Sequence, residues 1–220
     1  SSRRKQDDAR YLVRGNLHLR DGKPYLPLGA LEGRRIELVL KSLELAATNV
    51  MRSIHHLAIM IAIGLGIATS ALVGQNLGAG RPERAERLAR EAVKLATYSM
   101  MLVGLLFALF PRVVFLIYTS DPQVIAAGHW PLIFLGLIQA LPGTALVLSQ
   151  ALQGAGNTRF VMVAEFAVCL VLYLPAVYLL GLHTSLGLLG AWMGELVYWG
   201  SLASIMAWKF GRGAWKQIVI

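Results

Sequence analysis

From residue 43 onward, apolar residues run in five blocks of bilayer length, separated by short stretches of glycine, proline and charge. The blocks are about 43–75 (most apolar over Ser53–Gln75), 92–118, 124–150, 160–182 and 186–208. A helix needs about 20 apolar residues to cross the hydrocarbon. Lipid offers no partners for loose backbone groups, so each block predicts a helix and not a strand. The joints carry helix punctuation. Gly78-Ala79-Gly80 ends the first block, Pro82 suits a helix's first turn, and Glu83 and Glu86 suit its positive end. Ala85, Leu88, Ala89, Ala92, Leu95 and Ala96 share one face at helical spacing. Glu83–Arg87 and Glu86–Arg90 are i,i+4 pairs on the other face. Thr119-Ser120-Asp121-Pro122, Gly154-Ala155-Gly156-Asn157-Thr158 and Gly181-Leu182-His183-Thr184-Ser185 predict the remaining turns. The expected fold class is an all-α, polytopic membrane helical bundle of about five to six transmembrane helices.

Composition agrees: 56% of residues are hydrophobic and 15% charged, against a soluble norm of roughly 45–50% and about 25%. Mean hydropathy is +0.57. A net charge of +9 matters less than its placement. Arg81, Arg84, Arg87, Arg90 and Lys94 follow the first block, Arg159 the third, and Lys209, Arg212 and Lys216 the fifth. The turns after the second and fourth hold no Lys or Arg, although Arg112 lies near the former. Such alternation places the basic turns and the C-terminus in the cytoplasm of a multi-pass plasma-membrane protein, a bacterial inner-membrane protein in particular. The basic residues lack the aromatic interleaving of a nucleic-acid surface, so no nucleic-acid partner is expected. Cys169 is the only cysteine, which excludes an intrachain disulfide.

One segment conflicts with this topology. Five spans and a cytoplasmic C-terminus would put the chain before residue 43 outside, yet Arg3–Lys41 holds ten of the 21 Lys/Arg. Residues 28–42 are too short and too charged to be a further span. The expectation is that a helix preceding residue 43 is missing, in a larger or truncated protein. Residues 1–42 would then be cytoplasmic and 43–220 a transmembrane lobe.

Several motifs converge. Leu45-Ala46-Ala47-Thr48-Asn49-Val50, Ser53-Ile54-His55-His56-Leu57 and Gly64 to Gly80 resemble the multidrug and toxic compound extrusion (MATE) family of efflux transporters. So do Tyr118 to Pro122, Ala151 to Arg159, Pro175 to Leu180, Gly187 to Trp192 and Gly213 to Lys216. The resemblance covers roughly residues 43–217. It implies twelve helices in two lobes of six, this chain being the C-terminal lobe from the eighth helix on. Residues 1–42 become a basic inter-lobe linker and the seventh helix is the missing one. It further implies secondary active export of amphipathic or cationic drugs by antiport with Na⁺ or H⁺. The coupling ion would be the only cofactor. The partners would be small-molecule drugs, membrane lipids and the N-terminal lobe of the same protein. No enzyme is expected: the chain has no Walker loop, nucleophile elbow or paired-carboxylate site. The alternatives are a lipid-linked precursor flippase of the same superfamily, whose cavity would favour Arg or Lys, and a non-functional partial transporter.

Ionisable groups within spans are costly and are therefore functional candidates. Glu165 and Glu195 are candidates for the ion or substrate pathway, and Glu165 is placed to pair with Arg159. Asn49, Ser53 and Gln139 could line a substrate cavity, or form interhelical hydrogen bonds instead. Arg52, His55, His56, Ser149 and Gln150 are further polar groups in or near spans. Helix neighbours such as His55 and His56 diverge by about 100°, so no metal site is expected. Some family members carry acids on the seventh and tenth helices. Here the third block has none and reads Gln139-Ala140-Leu141-Pro142-Gly143, which leaves coupling through the other lobe open. Pro142 and Pro175 lie mid-span as candidate bending points. Gly74/Gly78 and Gly190/Gly194 suit close helix packing.

Overall fold

The computed structural model describes residues 18–20, 23–25, 28–183 and 187–217. It divides into two compact units, Ser1–Leu43 and Glu44–Ile220. The first contains an antiparallel hairpin, β1 (His18–Arg20) with β2 (Lys23–Tyr25), in which Leu19 sits opposite Pro24. The rest of the linker expected over residues 1–42, apart from helix beginning at Leu28, lies outside the described residues.

The second unit is a helical bundle. Helix α1 is assigned over Leu28–Gly78, and its part from Glu44 on belongs to this unit. Then come α2 (Pro82–Leu109), α3 (Pro111–Leu116), α4 (Pro122–Ile138) and α5 (Ala140–Gly154). Helix α6 (Thr158–Ala167) runs through a π-helical turn, Val168–Tyr173, into α7 (Leu174–Leu182). Helix α8 (Gly187–Gly211) is followed by a 3₁₀ turn, Ala214–Gln217.

Three helices among the described residues are long and apolar enough to cross a membrane: Ser42–Gly78, Pro82–Leu109 and Thr158–Gly181. The pair α4 and α5, bent by 48°, passes the same test of length and apolarity together, as one broken span or a re-entrant loop. The fifth expected span, 186–208, is a 25-residue helix, long enough to cross but less apolar than the others. The reason is its position. Helix α8 packs on α4, α5 and α7, so much of its surface meets protein, where Glu195, Trp192 and Trp199 are tolerated.

Prolines set two departures from the expected blocks. The second block does not run unbroken to 118. It stops at Leu109, and Phe110 leaves helical geometry (φ −127°, ψ 46°) because Pro111 disfavours that geometry in the residue before it. The third block breaks at Gln139, one turn ahead of Pro142, whose ring crowds the Ile138 carbonyl and whose nitrogen cannot bond it.

Two turns at the basic end are built alike. Gly80 (φ 68°) and Gly156 (φ 80°) take the left-handed conformation that closes a helix. Arg81 N–H donates to the Asn76 carbonyl and Asn157 N–H to that of Leu152. Just inside them α1 and α5 meet backbone to backbone. A Cβ on Gly154 would collide with the Ser70 backbone, and one on Gly66 with the Gln150 side chain. The packing stripe of α1 is therefore Gly66-Ser70-Gly74; Gly78 faces open space.

The core has two parts. At the basic end Val73, Ala85, Ala89, Leu152, Met206, Phe210 and Trp215 are buried together. Trp215 stacks on Phe210 (4.9 Å between centroids) and donates its indole N–H to the Phe210 carbonyl at 2.9 Å. Lys216 forms an ion pair with Glu86, which also accepts from Arg90 Nε at 3.0 Å. The expected Glu86–Arg90 pair forms, whereas no ion pair joins Glu83 to Arg87 among the described residues. At the opposite end Met51, Met100, Phe107, Phe115, Leu132, Leu135 and Trp192 pack together. Outward, Leu57, Leu102, Ile117, Leu137, Phe166 and Val171 are each more than half exposed, a surface suited to lipid.

Candidate functional site

The fold concentrates polar chemistry around Glu195. A Cβ on Gly194 would collide with the Val177 side chain, so α8 approaches α7 closely there and Glu195 is carried into the bundle. Trp199, one turn further along α8, donates its indole N–H to Glu195 Oε2 at 2.7 Å. Tyr173 donates its hydroxyl to Glu195 Oε1 at 3.2 Å. Tyr173 closes the π-helical turn, where Leu174 N–H reaches back five residues to the Cys169 carbonyl. Pro175 cannot bond the carbonyl four residues earlier, and the widened turn absorbs this fault.

In front of the carboxylate lies a cavity of about 180 Å³. Helix α1 contributes Thr48, Arg52 and His55; Tyr173 and Val177 form a second wall; Ala191, Trp192 and Glu195 form a third. It thus presents a carboxylate, a guanidinium, an imidazole and two aromatic faces. The His55 ring meets Trp192 edge-on with centroids 6.5 Å apart.

Behind His55 is a second polar feature. Gln139, fully buried at the bend between α4 and α5, lies beside His55. No hydrogen bond of acceptable geometry joins them. Both ring nitrogens of His55 and both amide atoms of Gln139 are buried without a partner. Backbone crowding shapes this region: a Cβ on Gly104 would collide with the Gly136 carbonyl and press on Gln139 Cβ, so α2 and α4 touch beside the bend.

The other sequence candidates fall elsewhere. Asn49 and Ser53 are exposed on α1, with Ser53 Oγ donating to the Asn49 carbonyl at 3.1 Å. Neither lines the Glu195 cavity, although their neighbours Thr48 and Arg52 do. Glu165 is half-buried beside Ser149. It makes no ion pair with Arg159 among the described residues, contrary to the expected pairing. Of the adjacent histidines, His55 is buried and His56 exposed. Sequence reasoning missed Tyr173, Trp192 and Trp199, because an aromatic within an apolar block reads as core or lipid contact. The i,i+4 spacing of Glu195 and Trp199 was the one available signal.

The MatE family model matches residues 38–179. The chain belongs to the MATE family. The match takes in Arg52, His55, Gln139 and Tyr173, while Glu195 and Trp199 lie beyond it. A probable multidrug resistance protein NorM of Thermotoga maritima is 29% identical over 192 residues, 86% of this chain and 41% of that protein. The multidrug resistance protein NorM of Burkholderia vietnamiensis is 32% identical, covering 78% of this chain and 38% of the relative. Multidrug and toxin extrusion protein 1 of Xenopus tropicalis is 30% identical over 72% of this chain and 28% of its own length. The chain thus spans about two fifths of its bacterial relatives. A crystal structure of a MATE point mutant shares the fold, with a TM-score of 0.68 at 17% identity, over 76% of this chain and 37% of that one. The bundle is that of an integral membrane transporter family.

Proposed function

We propose that the complete protein is a secondary active exporter of amphipathic, cationic compounds, driven by antiport with Na⁺ or H⁺. In this reading the lobe supplies Glu195 as the anion on which coupling ion and substrate exchange. The observation that carries it is a carboxylate within a membrane-spanning bundle, held by two fixed donors and opening on a cavity with aromatic walls. Such a group is costly in lipid unless it binds something. The names of the relatives, multidrug resistance and multidrug and toxin extrusion proteins, support drug export. The coupling ion is the sole cofactor, and the N-terminal lobe supplies the facing wall of the pathway. The protein lies in the plasma membrane, an inner membrane if bacterial, with the basic turns and C-terminus cytoplasmic.

The test is accumulation of a cationic dye in a bacterium lacking its own pumps. Expression of the complete protein should lower accumulation, and Glu195→Gln should restore it. Equal accumulation with and without the wild-type protein, confirmed in the membrane, contradicts the proposal. Arg52 favours the flippase alternative, since its guanidinium suits pyrophosphate. In that case Arg52→Gln, not Glu195→Gln, abolishes function.

A further inference from the structure

A second cavity, of about 300 Å³, opens at the end of the bundle away from the basic turns. Helix α2 leaves those turns at Pro82 and spans 28 residues, so its partner segments α3 and the start of α4 lie at the opposite membrane boundary. The cavity is walled by Leu116, Ile125 and Ala126, with Arg112, Ser120 and His129 as its polar members. Its shape is fixed from within. Phe115 is fully buried, and its ring lies where a Cβ on Gly128 would stand, so α3 is seated on α4 beside His129.

The charge of this cavity is uncompensated. Arg112 has no ion-pair partner among the described residues. Asp121, the acid of the same turn, accepts from Gln123 N–H at 2.9 Å and caps α4 instead. Two exposed aromatics flank the lining residues in sequence: Trp130 (68% exposed), whose ring meets His129 edge-on, and Tyr118 (41% exposed). Exposed Trp and Tyr mark the headgroup level of a bilayer. The chain leading into the cavity is apolar on its outside: Leu109, Val113 and the lining residue Leu116 are all more than half exposed.

We propose that this cavity binds the phosphate of an anionic phospholipid, with Arg112 as the charge partner, His129 and Ser120 as hydrogen-bond donors, and the acyl chains lying along Leu109, Val113 and Leu116. A guanidinium meets phosphate in a fork of two charge-assisted bonds, and a headgroup of net negative charge, unlike a zwitterionic one, brings no second cation up to the arginine. The site is separate from Glu195 and shares no lining residue with its cavity.

The test uses the complete transporter purified in detergent and titrated with phosphatidylglycerol, phosphatidylcholine or inorganic phosphate, with bound lipid read by native mass spectrometry. Phosphatidylglycerol should be retained preferentially. Arg112→Gln should weaken it about tenfold, the size of one lost charge-assisted bond. Ala126→Trp, a filler at an exposed position that leaves every charge in place, should weaken it similarly and keeps the test open if the arginine variant fails to fold. Equal retention by wild type and both variants overturns the site. Equal retention of phosphatidylcholine overturns its charge selectivity. Inorganic phosphate competing as strongly as the lipid overturns the lipid assignment in favour of a plain anion site.

Discussion

Glu195 has a donor on each carboxylate oxygen, and both donors are aromatic side chains. Hydrogen bonds to a charged group contribute about 1.5–3 kcal/mol each. Tyr173→Phe keeps the ring and removes only the hydroxyl, so the carboxylate loses one bond without a cavity opening. In proteoliposomes this variant should change the apparent affinity for a cationic substrate by about tenfold while protein yield stays the same. Unchanged affinity would show that the carboxylate is not held for that purpose. His55 and Gln139 differ in kind. Their buried atoms lack partners, and such atoms in a native core call for a functional or conformational explanation. His55 lines the Glu195 cavity and Gln139 marks the bend, so a shift of α5 against α1 would bring the two into register or separate them.

At the scale of elements, the bundle is articulated by proline. Pro111 splits α2 from α3, Pro142 bends α4 against α5, and Pro175 accompanies the π turn between α6 and α7. The last has a consequence for the site, because Tyr173 sits at the end of that turn. Pro175→Ala restores an N–H, lets the turn tighten to ordinary α geometry and carries Tyr173 away from Glu195. Pro175→Ala and Tyr173→Phe should therefore reduce transport by the same factor, and the double variant should be no worse than either alone. Additive losses would mean that the turn and the hydroxyl act independently.

For the molecule as a whole, the basic end is closed by the chain's own C-terminal turn. Trp215 is 1% exposed and packs among residues of α1, α2, α5 and α8, while the Lys216–Glu86 ion pair lies at the rim. The tryptophan should dominate. Trp215→Ala is expected to destabilise the bundle by about 3–5 kcal/mol, whereas a partly exposed ion pair contributes under about 1 kcal/mol. Thermal unfolding of the purified protein would separate the two, with Lys216→Gln close to wild type. A small effect of Trp215→Ala would place the stability of this end in α1 and α5 instead.

The amino-acid sequence alone determined that this is a membrane helical bundle, because span length and apolarity are local quantities summed over consecutive residues. The apolar helices, the glycine turns and the family motifs were legible in this way, and so was Glu195 as an isolated acid in an apolar block. Tertiary structure alone decided which polar residues share a cavity. Arg52 and His55 come to Glu195 from α1 and Tyr173 from the π turn, two segments distant in the chain, while Trp192 stands one turn before it on α8. Asn49 and Ser53, equally polar, turn to the surface one helical position away. Spacing along one helix fixes a residue's face, but what that face meets depends on how the helices cross. Here the crossings are set by close contacts at Gly66, Gly104, Gly154 and Gly194 and by the bend ahead of Pro142, and the partner in each contact lies on another helix.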